Sequence, residues 1–296
     1  RPLLADMIRE IEAKVLLSSC KEPSAWFGVR YTMNVYRGCE HQCIYCDSRS
    51  ECYGIEDFRD VLVKVNAIEL LHKELRSKRR KGTVGTGSMS DPYTPAERRY
   101  NLTGQALAVL REMGFPVHIT TKSDLVLRDL ETLREIARAT WASVALTLTT
   151  VDDALAAKLE PGAPPPSRRL QAIKELAAAG VCAGCTMMPI LPFIEDNEAN
   201  IRAIVEAVHA VGGKFIFPGF GMTLRDRCRT YYYEQLDRLF PGLSLQYRRR
   251  YGERYGCSLP NGRALEGMFN ELCACYEIPT KPPQGPWQAP QQLALF

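Results

Sequence analysis

A chain that carries Cys39, Cys43 and Cys46 in the run Arg37-Gly-Cys-Glu-His-Gln-Cys-Ile-Tyr-Cys46 must fold its backbone tightly around whatever those thiolates share. The run follows Tyr31-Thr-Met-Asn-Val-Tyr36, a β-branched and aromatic stretch, so the cysteines occupy the loop after a first strand. A cubane iron–sulfur cluster has four irons, each wanting a ligand, and three cysteines leave one iron open to an outside chelator. Tyr45, directly before Cys46, is placed to line the same site. The plainer readings are a zinc site that uses His41 and a set of unmetallated thiols. His41 stands between two of the cysteines, whereas structural zinc motifs separate two ligand pairs by a longer loop, and this favours the cluster.

The other cysteines set the compartment. Eleven are present in 296 residues, an odd number that a closed disulfide framework would leave unpaired. No apolar stretch approaches the ~20 residues needed to span a bilayer. Residues 1 to 30 lack the basic, apolar and small-residue pattern of a signal peptide. The expectation is a cytoplasmic protein, away from membranes, whose clustered thiols are metal ligands or buried residues. The net charge of +4 is modest, so a polyanionic partner has to be argued from local clusters.

Between about residues 30 and 225, short β-branched runs alternate with helical periodicity, the pattern of βα units around a parallel sheet. Six strands are expected, at 31–36, 83–86, 117–121, 143–149, 181–187 and 214–217. Helical spacing is read in Val63, Ala67, Leu70, Leu71 and Leu75, in Leu130, Leu133, Ile136 and Ala137, and in Ile201, Ile204, Val205 and Val208. Gly82, Gly114 and Gly180 follow helices where a left-handed cap favours glycine. The expected fold is α/β, a partial (β/α)6 barrel with function at the C-terminal ends of its strands. Residues 1–27 form a leading segment, 28–225 the barrel, 226–278 a basic, tyrosine-rich extension, and 279–296 a proline-rich tail.

On these residues the chain resembles the radical S-adenosylmethionine (SAM) superfamily, whose C-x3-C-x2-C loop after the first barrel strand carries an aromatic residue before the last cysteine. The resemblance implies a [4Fe-4S] cluster whose open iron is chelated by SAM. It also implies an electron donor such as flavodoxin or ferredoxin. Over about residues 28 to 256 the chain further resembles the spore photoproduct lyase family, which reverses a thymine-dimer lesion in DNA. That resemblance implies that Ser90 and Asp91 contact the methionine moiety of SAM and that Lys122 pairs with its carboxylate. Glu160-Pro161-Gly162 and Met188-Pro189 recur at corresponding places, and Met188 joins the expected SAM-binding set. Ser90-Asp91-Pro92 read alone is also a turn signal, and Lys122 read alone a surface charge.

The departures bear on substrate. Lesion-reversing members keep a hydrogen-donating cysteine directly before the serine or threonine and aspartate, and here that position is Met89, which has no S–H to give. The tyrosine they place after the last cluster cysteine is Asp47. Tyr93, Cys52 and Cys185 are candidates for the missing catalytic donor. Cys182 and Cys185 alternate across a strand, which argues against one shared metal. Cys257, Cys273 and Cys275 form a second candidate cluster set without an obvious fourth ligand.

From Arg225 to Tyr255 arginines interleave with tyrosines, which suits phosphate contacts and base stacking, or else tyrosines packed on the barrel. The cationic run Arg76–Lys81 reads as a solvated helix end. The terminal Gln292-Leu-Ala-Leu-Phe296 resembles the peptide by which bacterial polymerases and repair proteins dock on the DNA sliding clamp, with Gln292, Leu293, Leu295 and Phe296 as its contacts. The leading expectation is a radical SAM enzyme acting on damaged or modified DNA. The alternatives are a radical SAM enzyme modifying a small molecule or peptide, and a zinc-stabilised nucleic-acid-binding protein.

Overall fold

The computed structural model describes residues 8–22, 27–55 and 60–281. Six parallel strands lie side by side in chain order: Val29–Met33, Thr83–Thr86, Val117–Thr121, Ala142–Thr147, Cys182–Met187 and Ile216–Pro218. Leu17–Ser19, from the leading segment, closes the Val29–Met33 edge as an antiparallel strand. The two outer strands do not pair with each other, so the barrel stays open. Every residue of Ala142–Thr147 is buried, as a parallel strand covered on both faces requires.

The stretch expected as a single first strand divides. Val29–Met33 belongs to the barrel, while Tyr36–Arg37 pairs with Val61–Lys64 in a separate three-stranded sheet that Ile8–Ile11 completes. This break re-aims the chain immediately before the cysteine run. Val63, grouped by spacing with a helix, is therefore a strand residue, and the helix runs Ala67–Arg76 with Ala67, Leu71 and Leu75 buried. Gly114 and Gly180 do adopt positive φ, 64° and 84°, just past helices Leu102–Glu112 and Pro166–Ala178. Gly82 does not cap a helix; it is a close approach, where a Cβ would meet the Arg30 side chain at 2.6 Å.

Beyond the sixth strand, Gly221–Thr223 pairs antiparallel with Gly256–Ser258, and helices Asp226–Leu239 and Leu243–Tyr251 fill the intervening loop. Their tyrosines turn inward. Tyr232, Tyr233, Tyr247 and Tyr251 form a buried cluster with Leu159, Leu191 and the cysteine-loop residues Cys43, Ile44 and Tyr45. Base stacking is thereby denied to these four rings; Tyr255, 52% exposed, remains available. The last described helix, Gly262–Cys275, sits against Glu198–Ala210, with Phe269 edge-on to Phe220 at 5.6 Å. No described helix is long and apolar enough to cross a membrane. Gln292, Leu293, Leu295 and Phe296 lie outside the described residues.

Candidate functional site

A cavity of about 680 Å³ opens at the C-terminal ends of the barrel strands. Cys39, Cys43 and Cys46 form one wall, and all three are free thiols. The cysteine loop turns through Gly38 and Gln42, whose φ values are 85° and 52°. Gln42 Nε2 donates to Cys39 O at 2.9 Å, and Ile44 N donates to Leu159 O at 2.9 Å. Gly162 closes the loop from behind: its N–H donates to His41 O at 2.9 Å, and a Cβ there would lie 2.1 Å from Glu40 O. Glu40 ties the same loop to the chain after the second strand, accepting from Ala96 N at 2.6 Å and from Thr94 Oγ1 at 3.0 Å.

A buried polar layer lies beneath the thiols. His41 Nδ1 is 3.2 Å from Asp91 Oδ2, and Asp91 also accepts from Thr121 Oγ1 at 2.6 Å and Lys122 N at 2.8 Å. Burial opposes the Asp91 charge, but His41 and these donors outweigh it and hold the carboxyl down at about 2. Burial likewise opposes an imidazolium, yet Cys39 and Asp91 lift His41 to about 10. The Cys39 thiol is raised by burial and drawn down further by His41, for a net lowering. Burial pushes the Cys43 and Cys46 thiols up.

A second layer supports Tyr45. Its hydroxyl donates to Glu160 Oε1, and Arg169 Nη2 sits 2.5 Å from Glu160 Oε2 as a close ion pair rather than an aligned hydrogen bond. Arg169 is 1% exposed and anchors itself through Nε to Pro164 O at 2.8 Å and Nη1 to Thr147 O at 2.9 Å. Lys122 Nζ lines the cavity 3.9 Å from Glu160 Oε1 and 5.6 Å from the Tyr45 ring centroid. Burial disfavours its ammonium, but Cys43 and Glu160 hold it charged above the ordinary lysine range. Ser90 Oγ is buried without a partner at the cavity wall. An orphaned hydroxyl beside an ammonium is a donor set suited to the amino-acid end of a ligand.

Tyr45, Ser90, Asp91, Lys122 and Met188 thus surround one cavity with the cysteine triad. The candidate donors do not. Tyr93 is fully buried outside the lining and its hydroxyl donates to Asp129 at 2.9 Å. Cys185 is a core residue on the fifth strand, and Cys52 is exposed beside Ser50 and Arg225. Met89 does line the cavity, and so does Cys257. Cys273 lies in the barrel core and Cys275 is exposed, so Cys257, Cys273 and Cys275 are not gathered into a second cluster. Among the described residues no three His, Cys, Asp or Glu side chains gather closely enough to hold a single metal ion.

Two functional residues lie outside the motif reading. Arg169 had a signal: it shares spacing with Ala172, Ile173 and Leu176, a charge on an apolar helix stripe. The sequence offers His41 only as a zinc ligand, whereas in the structure it pairs with Asp91 and acts on Cys39 directly, drawing its thiol down.

The sequence profile of the radical SAM superfamily matches residues 33–208. The uncharacterized protein Rv2578c of Mycobacterium tuberculosis is 36% identical over 281 residues, 90% of this chain and 82% of that protein. A radical SAM Nalpha-GlyT isomerase of Pseudomonas phage M6 is 25% identical over 182 residues, 62% of this chain and 37% of that one. Among solved structures, spore photoproduct lyase complexed with dinucleoside spore photoproduct superposes with a TM-score of 0.67 at 15% identity, covering 91% of this chain and 79% of that one.

Proposed function

Because the chain belongs to the radical SAM superfamily, and is thus an enzyme that uses a [4Fe-4S] cluster and SAM, we propose that its substrate is damaged or modified DNA. The observation that carries this reading is the cavity itself. The cysteine triad and a ribbon, Gly221–Thr223 with Gly256–Ser258, line it together, and the ribbon runs directly into arginine-rich chain. The dinucleoside bound by the lyase whose fold this chain shares supports the same substrate class.

When bound, the cluster and SAM supply one-electron cleavage of SAM to a 5′-deoxyadenosyl radical. In this reading Cys39, Cys43 and Cys46 hold three irons. Lys122 would pair with the SAM carboxylate, Ser90 Oγ would donate a hydrogen bond to the same carboxylate, and Met188 would pack on the ligand. Asp91, kept ionised, fixes His41 and through it the cysteine loop. Tyr45, held by Glu160, keeps water off the thiols. Met89 cannot return a hydrogen atom, so that step falls to another group; Cys257 is the cavity's thiol outside the triad. Electrons would come from a flavodoxin or ferredoxin, and the tail 292–296 would dock on a DNA sliding clamp.

The test is DNA binding by anisotropy across a salt series, with SAM cleavage followed in parallel. Salt-dependent binding and faster 5′-deoxyadenosine formation with lesion-bearing than with intact DNA are expected. No DNA binding at low salt contradicts the DNA reading, and leaves a small-molecule or peptide substrate in its place. Deleting residues 292–296 should abolish clamp binding and leave SAM cleavage unchanged; clamp binding that survives the deletion refutes the docking role.

A further inference from the structure

A second concavity, of about 390 Å³, adjoins the mouth of the SAM cavity. The same ribbon builds both. Thr223 and Gly256 line the cavity, and the next residues outward, Leu224, Arg225 and Tyr255, line the second pocket. The two are further joined by an ion pair, since Arg225 Nη2 lies 2.5 Å from Oδ2 of Asp47, a cavity residue.

Three guanidinium groups line this pocket, those of Arg225, Arg229 and Arg248. Arg229 is fixed by backbone oxygens, with Nη2 donating to Leu224 O at 2.8 Å and to Arg254 O at 3.0 Å. Arg225 Nη2 also donates to the Tyr255 hydroxyl at 3.0 Å. Arg248 is different: it rests 4.5 Å over the Tyr233 ring and pairs with no carboxylate among the described residues. Tyr233 is 2% exposed and lines the pocket, and its hydroxyl is buried without a hydrogen-bond partner. Two carboxylates share the lining. Asp226 accepts from Ser50 Oγ at 2.6 Å, and Glu253, with a side chain 92% exposed, stands 3.3 Å from Arg229. With Asp47 counted, the three arginines face three carboxylates, and what the pocket keeps is one guanidinium without a carboxylate partner, Arg248, and one orphaned hydroxyl donor. A tetrahedral oxyanion satisfies both at once.

We propose that Arg248, Arg229, Arg225 and the Tyr233 hydroxyl form a phosphate-binding subsite at the rim of the SAM cavity. Resting on the DNA reading above, its natural occupant is a backbone phosphodiester flanking the nucleotide that enters the cavity. Helix Leu243–Tyr251 ends in Arg248, Arg249 and Arg250, all of which favour its dipole, but only the first lines the pocket. That separates a built site from a diffuse positive field.

The experiment uses the full chain, a short labelled single-stranded oligodeoxynucleotide and inorganic phosphate. Arg248→Ala should weaken oligonucleotide binding about tenfold and make the slope of log K against log salt shallower by about 0.7, the loss of one phosphate contact. Tyr233→Phe, which keeps the packed ring, should weaken binding several-fold with the slope unchanged. Arg249→Ala should bind as wild type does. Inorganic phosphate, exchanged for chloride at constant ionic strength, should compete with the oligonucleotide for wild type but not for Arg248→Ala. If Arg249→Ala weakens binding as much as Arg248→Ala, or if neither Arg248→Ala nor Tyr233→Phe alters binding of either probe, the subsite is overturned while the DNA reading stands. If phosphate binds in an Arg248-dependent way and the oligonucleotide does not bind, the subsite stands with a phosphomonoester as its source, and the DNA reading fails.

Discussion

Replacing Arg169 by Met should be among the most damaging single changes outside the triad. Arg169 and Glu160 are each 1% exposed, and the arginine holds the carboxylate at 2.5 Å while spanning Pro164 O and Thr147 O. The variant leaves Glu160 charged in the interior with Lys122 3.9 Å from its other oxygen as the remaining cation beside it. Removing one partner of a buried pair costs about 3–5 kcal/mol. The buried Thr147 carbonyl also loses its donor, at about 1 kcal/mol or more, and the partly buried Pro164 carbonyl loses its own. Anaerobic urea unfolding followed by far-UV circular dichroism reads the change as a lower midpoint at constant m. Combining Arg169→Met with Glu160→Gln should cost less than the sum of the single changes, with a coupling of about 1–3 kcal/mol. Iron content should fall as well, because Glu160 orients Tyr45 and precedes the Gly162 contact with the cysteine loop. A loss below about 1 kcal/mol, or additive single changes, would refute the argument that this pair braces the site.

Other consequences follow from the same geometry. Gly162→Ala places a Cβ 2.1 Å from Glu40 O, so reconstituted iron per chain should drop well below wild type; full iron loading would contradict the close-approach argument. Ser90→Ala should weaken SAM binding about fivefold, the value of one ordinary hydrogen bond, in anaerobic equilibrium dialysis; an unchanged Kd removes Ser90 from the ligand set. His118 is buried and stacked on Phe27 at 3.8 Å, and burial depresses its pKa to about 3 from 6.5. The unfolded chain then binds the extra proton between those values. His118 therefore lowers stability by up to about 1.4 kcal/mol per pH unit as pH falls from 6.5 toward 3. His118→Gln should flatten the dependence of the unfolding midpoint between pH 7 and 5, and an unaltered slope would show that His118 does not carry it.

The barrel was legible because each parallel strand is a short β-branched run and the intervening helices carry apolar stripes, as at Ile201, Ile204, Val205 and Val208. The loop carrying the thiols was legible for a local reason, since the three cysteines lie within eight residues. Tyr31–Tyr36 misled because period-2 alternation marks strand but not sheet, and the chain changes sheets after Met33. The tyrosines of the extension misled because a ring at helical spacing reads alike whether it meets solvent or a core supplied by residues some forty to two hundred positions earlier. Tyr93 and Cys52 were drawn to the site by nearness in sequence, yet short turns carry the first into the core and the second to the surface. Cys257 arrives at the cavity through a ribbon closed across two helices, a long-range pairing that no local pattern announces.

The measurement closest to the central claim is iron, sulfide and 5′-deoxyadenosine determined on one anaerobically reconstituted sample, beside a variant with Cys39, Cys43 and Cys46 all changed to Ala. The account predicts about four irons and four sulfides per chain, reductant-dependent conversion of SAM to 5′-deoxyadenosine, and neither in the variant. A protein that retains zinc through those cysteines and never cleaves SAM would contradict it.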